Sequence, residues 1–333
     1  MDASFLRRFD IVLELSPPTV AQRRKWIDKV AGDGVSEDLR DRLARTKHLS
    51  PAIVTRVLKV ADAVEPESSP VRDDMVTDLV NDTLTVQGYG EVAPSISGLG
   101  IYPLDYLNTD VDLERVVDGL RARPQGSLCL YGLPGTGKSA YAEWVAKMLD
   151  KPLVVKRASD LFGRYLGETE NNIAQAFREA QLDGAVLLID EADSFLQDRA
   201  ASFQRWEITQ VNEMLTQIEA FKGIFIATTN LVETLDPACL RRFDLKVKFE
   251  ALTPDQAQHL FEAHLAMLGL EATVTESLLN KVRELTNLTP GDFAAVARQA
   301  GFNPVAGAAD FVQRLAKECG LKKENRHLPI GFG

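Results

Sequence analysis

Eight residues, Gly132-Leu133-Pro134-Gly135-Thr136-Gly137-Lys138-Ser139, follow a short apolar run and lead into a helical pattern. Glycines at this spacing let a loop curl until successive backbone N–H groups face phosphate oxygens, and the helix that follows adds the positive potential of its N-terminus. Lys138 would reach the outer phosphates and the Ser139 hydroxyl would ligate Mg²⁺, with Gly132, Pro134, Gly135, Thr136 and Gly137 forming the cradle. A second element lies about fifty residues on, where Val186-Leu187-Leu188-Ile189 carries Asp190-Glu191 at its end. Asp190 could hold the Mg²⁺ shell, and Glu191, pointing the other way along the strand, could orient or deprotonate water. Alone, the first element could be a glycine-rich surface turn and the second two carboxylates capping a strand. Their pairing, each in its strand context, favours chemistry on a nucleoside triphosphate and Mg²⁺.

These groups need a scaffold, and the pattern supplies one. Short apolar runs at Leu128–Tyr131, Leu153–Lys156, Ala185–Ile189, Ile224–Ala227 and Leu245–Phe249 alternate with helical stretches Lys138–Leu149, Thr169–Leu182 and Trp206–Glu219. Such alternation predicts an α/β fold, a parallel five-stranded sheet covered by helices on both faces. From Pro254 onward only helical periodicity remains. Helical patterns also fill the first part of the chain, at Thr19–Ala31, Glu37–Arg45, Ser50–Val64 and Arg72–Val86, with Ser50 an N-cap before Pro51. Between the two regions Gly88, Gly90, Pro94, Gly98, Gly100 and Pro103 mark a linker. The expected division is a helical segment 1–87, a linker 88–108, an α/β core 109–250 and a helical subdomain 251–333.

Composition bounds the remaining possibilities. The chain has 333 residues, 45% of them hydrophobic and 26% charged. These values exclude a disordered, collagen-like or membrane-spanning chain. The net charge of −10 is uneven: residues 65–120 carry 2 basic and 12 acidic side chains, whereas residues 1–64 carry 12 and 9. The acidic stretch reads as a solvated connector. Basic patches with interleaved aromatics are missing, which weighs against a nucleic-acid partner. Cys129, Cys239 and Cys319 are far apart and odd in number, as expected of small hydrophobes in a reducing cytoplasm. His48, His259, His264 and His327 show no metal-ligand spacing, and the N-terminus lacks the apolar stretch of a signal peptide.

Against this background the chain resembles the AAA family of ATPases. Ala227-Thr228-Thr229-Asn230 looks like the family's sensor 1, which implies that Asn230 contacts the attacking water or γ-phosphate. Leu235-Asp236-Pro237-Ala238-Cys239-Leu240-Arg241-Arg242-Phe243-Asp244 looks like its arginine-finger segment, with Arg241 and Arg242 adjacent as in the microtubule-severing and membrane-remodelling branch; surface ion pairs are the plainer reading. Fingers act across a subunit boundary, so the resemblance implies a ring homo-oligomer, most often a hexamer. Ser159 to Glu168 resembles a first pore loop, with Tyr165-Leu166-Gly167 as its peptide-gripping tip, although Tyr165 could instead pack in a core. Arg199–Arg205 would be a second pore loop, and Asp105-Tyr106-Leu107-Asn108 would approach the adenine. Ile218-Glu219-Ala220-Phe221 departs from the family's intersubunit signalling element. Thr289-Pro290-Gly291-Asp292-Phe293 resembles a lid helix start near the nucleotide, without a clear sensor-2 arginine beyond Arg298. The implied activity is ATP hydrolysis coupled to remodelling or unfolding a protein substrate. The alternatives are a truncated ATP-binding fragment unable to form an active ring and a nucleic-acid motor.

The chain also resembles itself. Phe5-Leu6-Arg7-Arg8-Phe9-Asp10 matches Cys239-Leu240-Arg241-Arg242-Phe243-Asp244, and Leu49-Ser50-Pro51 corresponds to Leu288-Thr289-Pro290. The expectation is the C-terminal portion of a bacterial tandem-module protein, its first segment carrying the fingers and helical lid of a preceding module.

Overall fold

Alternating side chains of the central strands face two helical layers, and this period of two organises the α/β part of the computed structural model. The structure describes residues 18–32, 34–46, 49–64, 69–89, 92, 104–165, 167–196, 205–230, 237–270 and 273–324. The chain divides into two units, residues 1–99 and 100–333.

In the first unit, helices α1 (Val20–Ala31), α2 (Glu37–Arg45), α3 (Pro51–Val64) and α4 (Ser69–Val86) enclose an apolar core that includes Ile27, Leu39, Leu43, Val54, Val76, Val80 and Leu84. Thr19 and Gln22 form a reciprocal capping box at the start of α1. The Arg24 guanidinium ties α1 to α2 through Asp41 and Glu37. Arg7 and Arg8, the finger-like pair of the internal repeat, lie outside the described residues.

The second unit opens with a 3₁₀ turn, Leu104–Tyr106, and a two-residue strand β1 (Asn108–Thr109), both within or at the edge of the stretch read as linker. Helix α5 (Leu113–Ala122) follows, capped by Asp112. Strands β2 (Gly126–Gly132), β3 (Leu153–Arg157), β4 (Val186–Asp190), β5 (Ile224–Thr229) and β6 (Leu245–Glu250) form the expected parallel sheet, in the order β1-β6-β2-β5-β4-β3. The sheet has six strands rather than five, because β1 pairs antiparallel with β6 at the edge, Asn108 opposite Glu250. Two residues are too few to show an alternating pattern, so sequence reading passes over β1.

Helices α6 (Lys138–Met148), α7 (Ala158–Leu161), α8 (Glu168–Asp183), α9 (Asp193–Leu196), α10 (Arg205–Ala220) and α11 (Pro237–Leu240) connect the strands. Leu187, Ile189, Phe225 and Ala227 turn to one face, where they join Phe177, Phe195, Met214 and Ile218. Leu128, Leu130, Leu188, Ile226 and Val247 turn to the other, against Val117, Leu120, Tyr141 and Val145. Strands covered on both faces need apolar residues throughout, which is why they read as continuous apolar runs.

Helices α12 (Pro254–Met267), α13 (Glu276–Glu284), α14 (Pro290–Phe302) and α15 (Ala308–Glu324) complete the unit around Phe261, Leu265, Phe293, Phe311 and Leu315. His264 is buried in this core with its ring N–H on the Leu260 carbonyl, 2.8 Å away, so it is a satisfied packing residue. Among the described residues no helix is long and apolar enough to cross a membrane, and no cluster of three or more His, Cys, Asp or Glu could hold a metal.

Candidate nucleotide site

The site begins where β2 ends. Gly132 has φ 137° and lies so close to β6 that a Cβ would sit 1.9 Å from the Phe249 carbonyl oxygen. Only glycine fits that crossing. Gly137, the N-cap of α6, has φ 95°, and a Cβ there would meet the Leu107 side chain at 2.6 Å. The Thr136 hydroxyl donates to the Leu133 carbonyl, 2.8 Å, while Pro134 and Gly135 are exposed at the loop's crest. A loop of this shape, forced by steric exclusion of side chains and ending on a helix N-terminus, suits a phosphate group.

Lys138 is buried, and its ammonium donates to the carbonyls of Leu133, at 2.7 Å, and Gly132, at 3.0 Å. Burial pulls its pKa down to about 8, with the Asp190 and Asp193 carboxylates opposing part of that fall. A cation kept dry beside a loop built for anions is poised to gain from a phosphate.

Parallel strand order now does what spacing alone could not. The Ser139 hydroxyl, at the start of α6, donates to Asp190 Oδ1 at the end of β4, 2.9 Å away. The residues are 51 apart in sequence and meet because β5 alone separates β2 from β4. Hydroxyl and carboxylate together are hard oxygen donors of the kind Mg²⁺ prefers, so the pair fits an ion that would neutralise phosphate charge.

Two residues that sequence reading missed hold this end of the sheet. Thr228 donates its hydroxyl to Asp190 Oδ1, and Thr228 Oγ1 itself accepts the Glu191 N–H at 3.1 Å. Asp193 accepts the Thr229 hydroxyl and the Asn230 N–H, the latter at 3.1 Å. Asp193 had a signal in its position three residues after Asp190; Thr228 had none, because its role depends on β4 and β5 being neighbours. Glu191 is exposed and adopts φ 56°, an unusual left-handed conformation for a residue with a side chain. Strain of this sort is retained where the surrounding structure imposes it, here through the Thr228 contact. Asn230 is exposed at the end of β5, on the same edge of the sheet.

Other candidates lie elsewhere. Arg241 and Arg242 follow α11 just before β6 begins. Gly132 pairs with Phe249 near the far end of that strand, so roughly 13 Å of strand separates the arginines' end from the phosphate loop. Arg241 is exposed, and Arg242 is ion-paired with Glu219 of α10. A cavity of about 520 Å³ opens at this end, lined in part by Arg115, Arg123, Ser127, Glu219 and Arg242. Tyr165 is 79% exposed, in the loop between α7 and α8, so it is not a core residue. The Glu168 carboxylate holds that loop by accepting the N–H groups of Arg164 and Tyr165, and Gly167 caps α8 with φ 85°. Leu166 lies outside the described residues, as do positions 199–204 of the expected second loop.

The segment expected near the adenine stitches core to C-terminal helices. Gln256 of α12 donates to the carbonyls of Asp105 and Leu107, and Asn108 donates to that of Ala251. Leu107 reaches Gly137 beneath the phosphate loop.

Residues 128–251 match the model of the ATPase family associated with various cellular activities, AAA. The chain is 31% identical over 54% of its length to the 26S proteasome regulatory subunit 4 homolog of Encephalitozoon cuniculi, covering 44% of that protein. It is 29% identical to fidgetin-like protein 1 of Caenorhabditis briggsae, over 61% of this chain and 35% of that one. Against the proteasome-associated ATPase of Thermomonospora curvata it is 29% identical, over 58% and 36% respectively. The chain thus spans between 35% and 44% of the length of these relatives.

Proposed function

Because this chain carries a P-loop domain of the AAA family, we propose that it hydrolyses Mg·ATP and couples the hydrolysis to remodelling of a protein substrate. The observation that carries this reading is the contact between Ser139 and Asp190, which joins a loop shaped for phosphate to a carboxylate suited to Mg²⁺. Lys138 and the loop N–H groups would bind the phosphates, and Ser139 and Asp190 would hold the metal ion. Mg²⁺ would neutralise charge as the terminal phosphoryl group transfers. Glu191 would take a proton from the attacking water, and Asn230, fixed by Asp193, would orient it.

Arg241 and Arg242 cannot reach the phosphate loop of their own chain, which supports their acting on a neighbour's nucleotide in a ring such as a hexamer. A guanidinium at the transferring phosphoryl is worth on the order of 10³–10⁵ in rate. The exposed Tyr165 supports a role in gripping peptide, since an aromatic face packs against any side chain. Relatives named as proteasome subunits or a proteasome-associated ATPase support the same protein-directed reading.

We further propose that α1 to α4 are the lid of a preceding module of the same kind. Thr253 and Gln256 repeat, at an offset of 234, the capping box of Thr19 and Gln22, with both pairs of bonds at 3.2 and 3.0 Å. Helices α2, α3 and α4 begin at 37, 51 and 69, and α13, α14 and α15 begin 239 residues later in each case.

The test is a pair of substitutions in the full chain. Glu191→Gln should bind ATP with near-parental affinity while kcat falls about 10²–10⁴-fold, as expected for loss of a general base. Parental turnover would overturn the role of Glu191. An Arg241→Ala, Arg242→Ala variant mixed with Lys138→Ala should recover part of the lost activity if the arginines act between subunits. Co-assembled mixtures without any recovery would overturn that arrangement.

A further inference from the structure

The start of α14 carries a partly buried charged contact that the chemistry above does not use, its carboxylate buried and its ammonium about a quarter exposed. Asp292 is 4% exposed and Thr289 fully buried. Asp292 Oδ2 accepts the Thr289 N–H at 2.8 Å and its hydroxyl at 3.0 Å. Lys322, thirty residues on in α15, then saturates the cluster. Its three ammonium hydrogens find three acceptors: Asp292 Oδ2 at 2.6 Å, Thr289 Oγ1 at 2.9 Å and the Asn287 carbonyl at 3.3 Å. The last of these braces a left-handed turn, since Asn287 has φ 65°.

The other side of the same turn rests on the phosphate loop. The Gly291 N–H donates to the Gly135 carbonyl at 2.8 Å. The approach is backbone to backbone: a Cβ on Gly291 would lie 2.8 Å from Gly135 Cα, and one on Gly135 would lie 3.0 Å from Thr289 Oγ1. A continuous path of contacts therefore runs from Lys322 through Asp292 and Thr289 to Gly135.

The chain supplies its own comparison. At the 239-residue offset that superposes the starts of α3 and α14 and of α4 and α15, Asp292 corresponds to Ile53 and Lys322 to Thr83. A four-helix group with the same order of helices forms in the first unit without this ion pair. Buried ion pairs contribute little net stability compared with apolar residues of similar size, and their better-attested use is to specify an arrangement. The arrangement specified here is the seat of α14 on the loop.

We propose that Lys322 is a positioning residue for the phosphate loop: by clamping Asp292 and the Asn287–Thr289 turn, it holds Gly291 on Gly135 and so couples the C-terminal helices to nucleotide affinity. The inference rests on the reading of that loop as the ATP site. Lys322 touches no part of the loop itself and acts through Thr289, Asp292 and Gly291.

The experiment uses the full chain and three variants. Lys322→Met alone leaves a buried carboxylate without its cation, so Lys322→Met with Asp292→Asn removes both charges while keeping an acceptor for Thr289. Lys322→Arg keeps the charge. Amide exchange without nucleotide should quicken at Gly291 in the double variant, and its Kd for ADP should rise about tenfold, within the usual range of couplings between sites. The kcat at saturating ATP should stay within about twofold, because no group on the reacting atoms has changed. Lys322→Arg should retain most of the affinity. Unchanged exchange at Gly291, or a double variant that regains both melting temperature and parental Kd, would reduce Lys322 to a packing role and overturn the proposal. Faster exchange in a protein whose parent binds neither ADP nor ATP would support the clamp and overturn the nucleotide reading instead.

Discussion

Lys138 should make nucleotide binding depend on pH above neutrality, because burial lowers its pKa. Burial lowers its pKa from the ordinary 10.5 to about 8, a difference worth about 3 kcal/mol at 1.36 kcal/mol per tenfold. The unfolded chain therefore holds this proton more tightly than the folded one. The cost of the buried charge is felt in full below pH 8, and stability gained from its relief grows as pH rises from 8 toward 10.5. Bound phosphate favours the ammonium and raises its pKa, so binding takes up a proton wherever free Lys138 is partly neutral. With a pKa of about 8, roughly three quarters of free Lys138 is charged at pH 7.5 and about one tenth at pH 9. Apparent affinity for ADP should fall about eightfold across that interval, well above the range where the phosphate itself titrates. Titration of a fluorescent ADP analogue at half-unit steps measures the fall. Calorimetry at pH 8.5 in buffers of different ionisation enthalpy measures the proton uptake. A flat Kd from pH 7.5 to 9, or the same slope in Lys138→Met, would refute the reasoning.

Further outcomes follow from burial and backbone geometry. Tyr165→Ala should change stability by no more than about 0.5 kcal/mol, as for other exposed sites, against about 3–5 kcal/mol for a core aromatic; thermal melting separates the two, and loss of substrate-stimulated ATPase at unchanged melting is the expected result. Gly132→Ala should cost about 3 kcal/mol or more, since the new Cβ collides with the Phe249 carbonyl at a φ that side chains avoid; a soluble variant melting like the parent would contradict the strand crossing. His264 has its pKa lowered by burial, so the unfolded chain binds its proton more readily and stability should be lost as pH falls below about 6.5. His264→Leu should flatten that part of the pH–stability curve, and an unchanged slope would assign it to other groups.

Much of the chemistry was legible before any folding was considered, because it is written in short-range patterns. The phosphate loop is eight contiguous residues whose glycines fall where a side chain would collide, and the Asp190–Glu191 pair is announced by the apolar strand in front of it. The α/β alternation follows from short apolar runs between stretches of helical period, and the helix start at Ser50 is marked by its capping chemistry. None of these features needs knowledge of what lies across the sheet. Strand order does, and it alone brings Ser139 to Asp190, sets Thr228 against Asp190 and Glu191, and puts Arg241 and Arg242 at the end of β6 remote from the loop in their own chain. Lys322 is the extreme case: nothing around it in sequence distinguishes it from the other lysines near the end of the same charged helix. Its importance arises only when α15 packs beside α14 and delivers an ammonium to a carboxylate thirty residues away. Periodicity and capping are properties of neighbouring residues, whereas the partner of a buried charge is chosen by the path the whole chain takes.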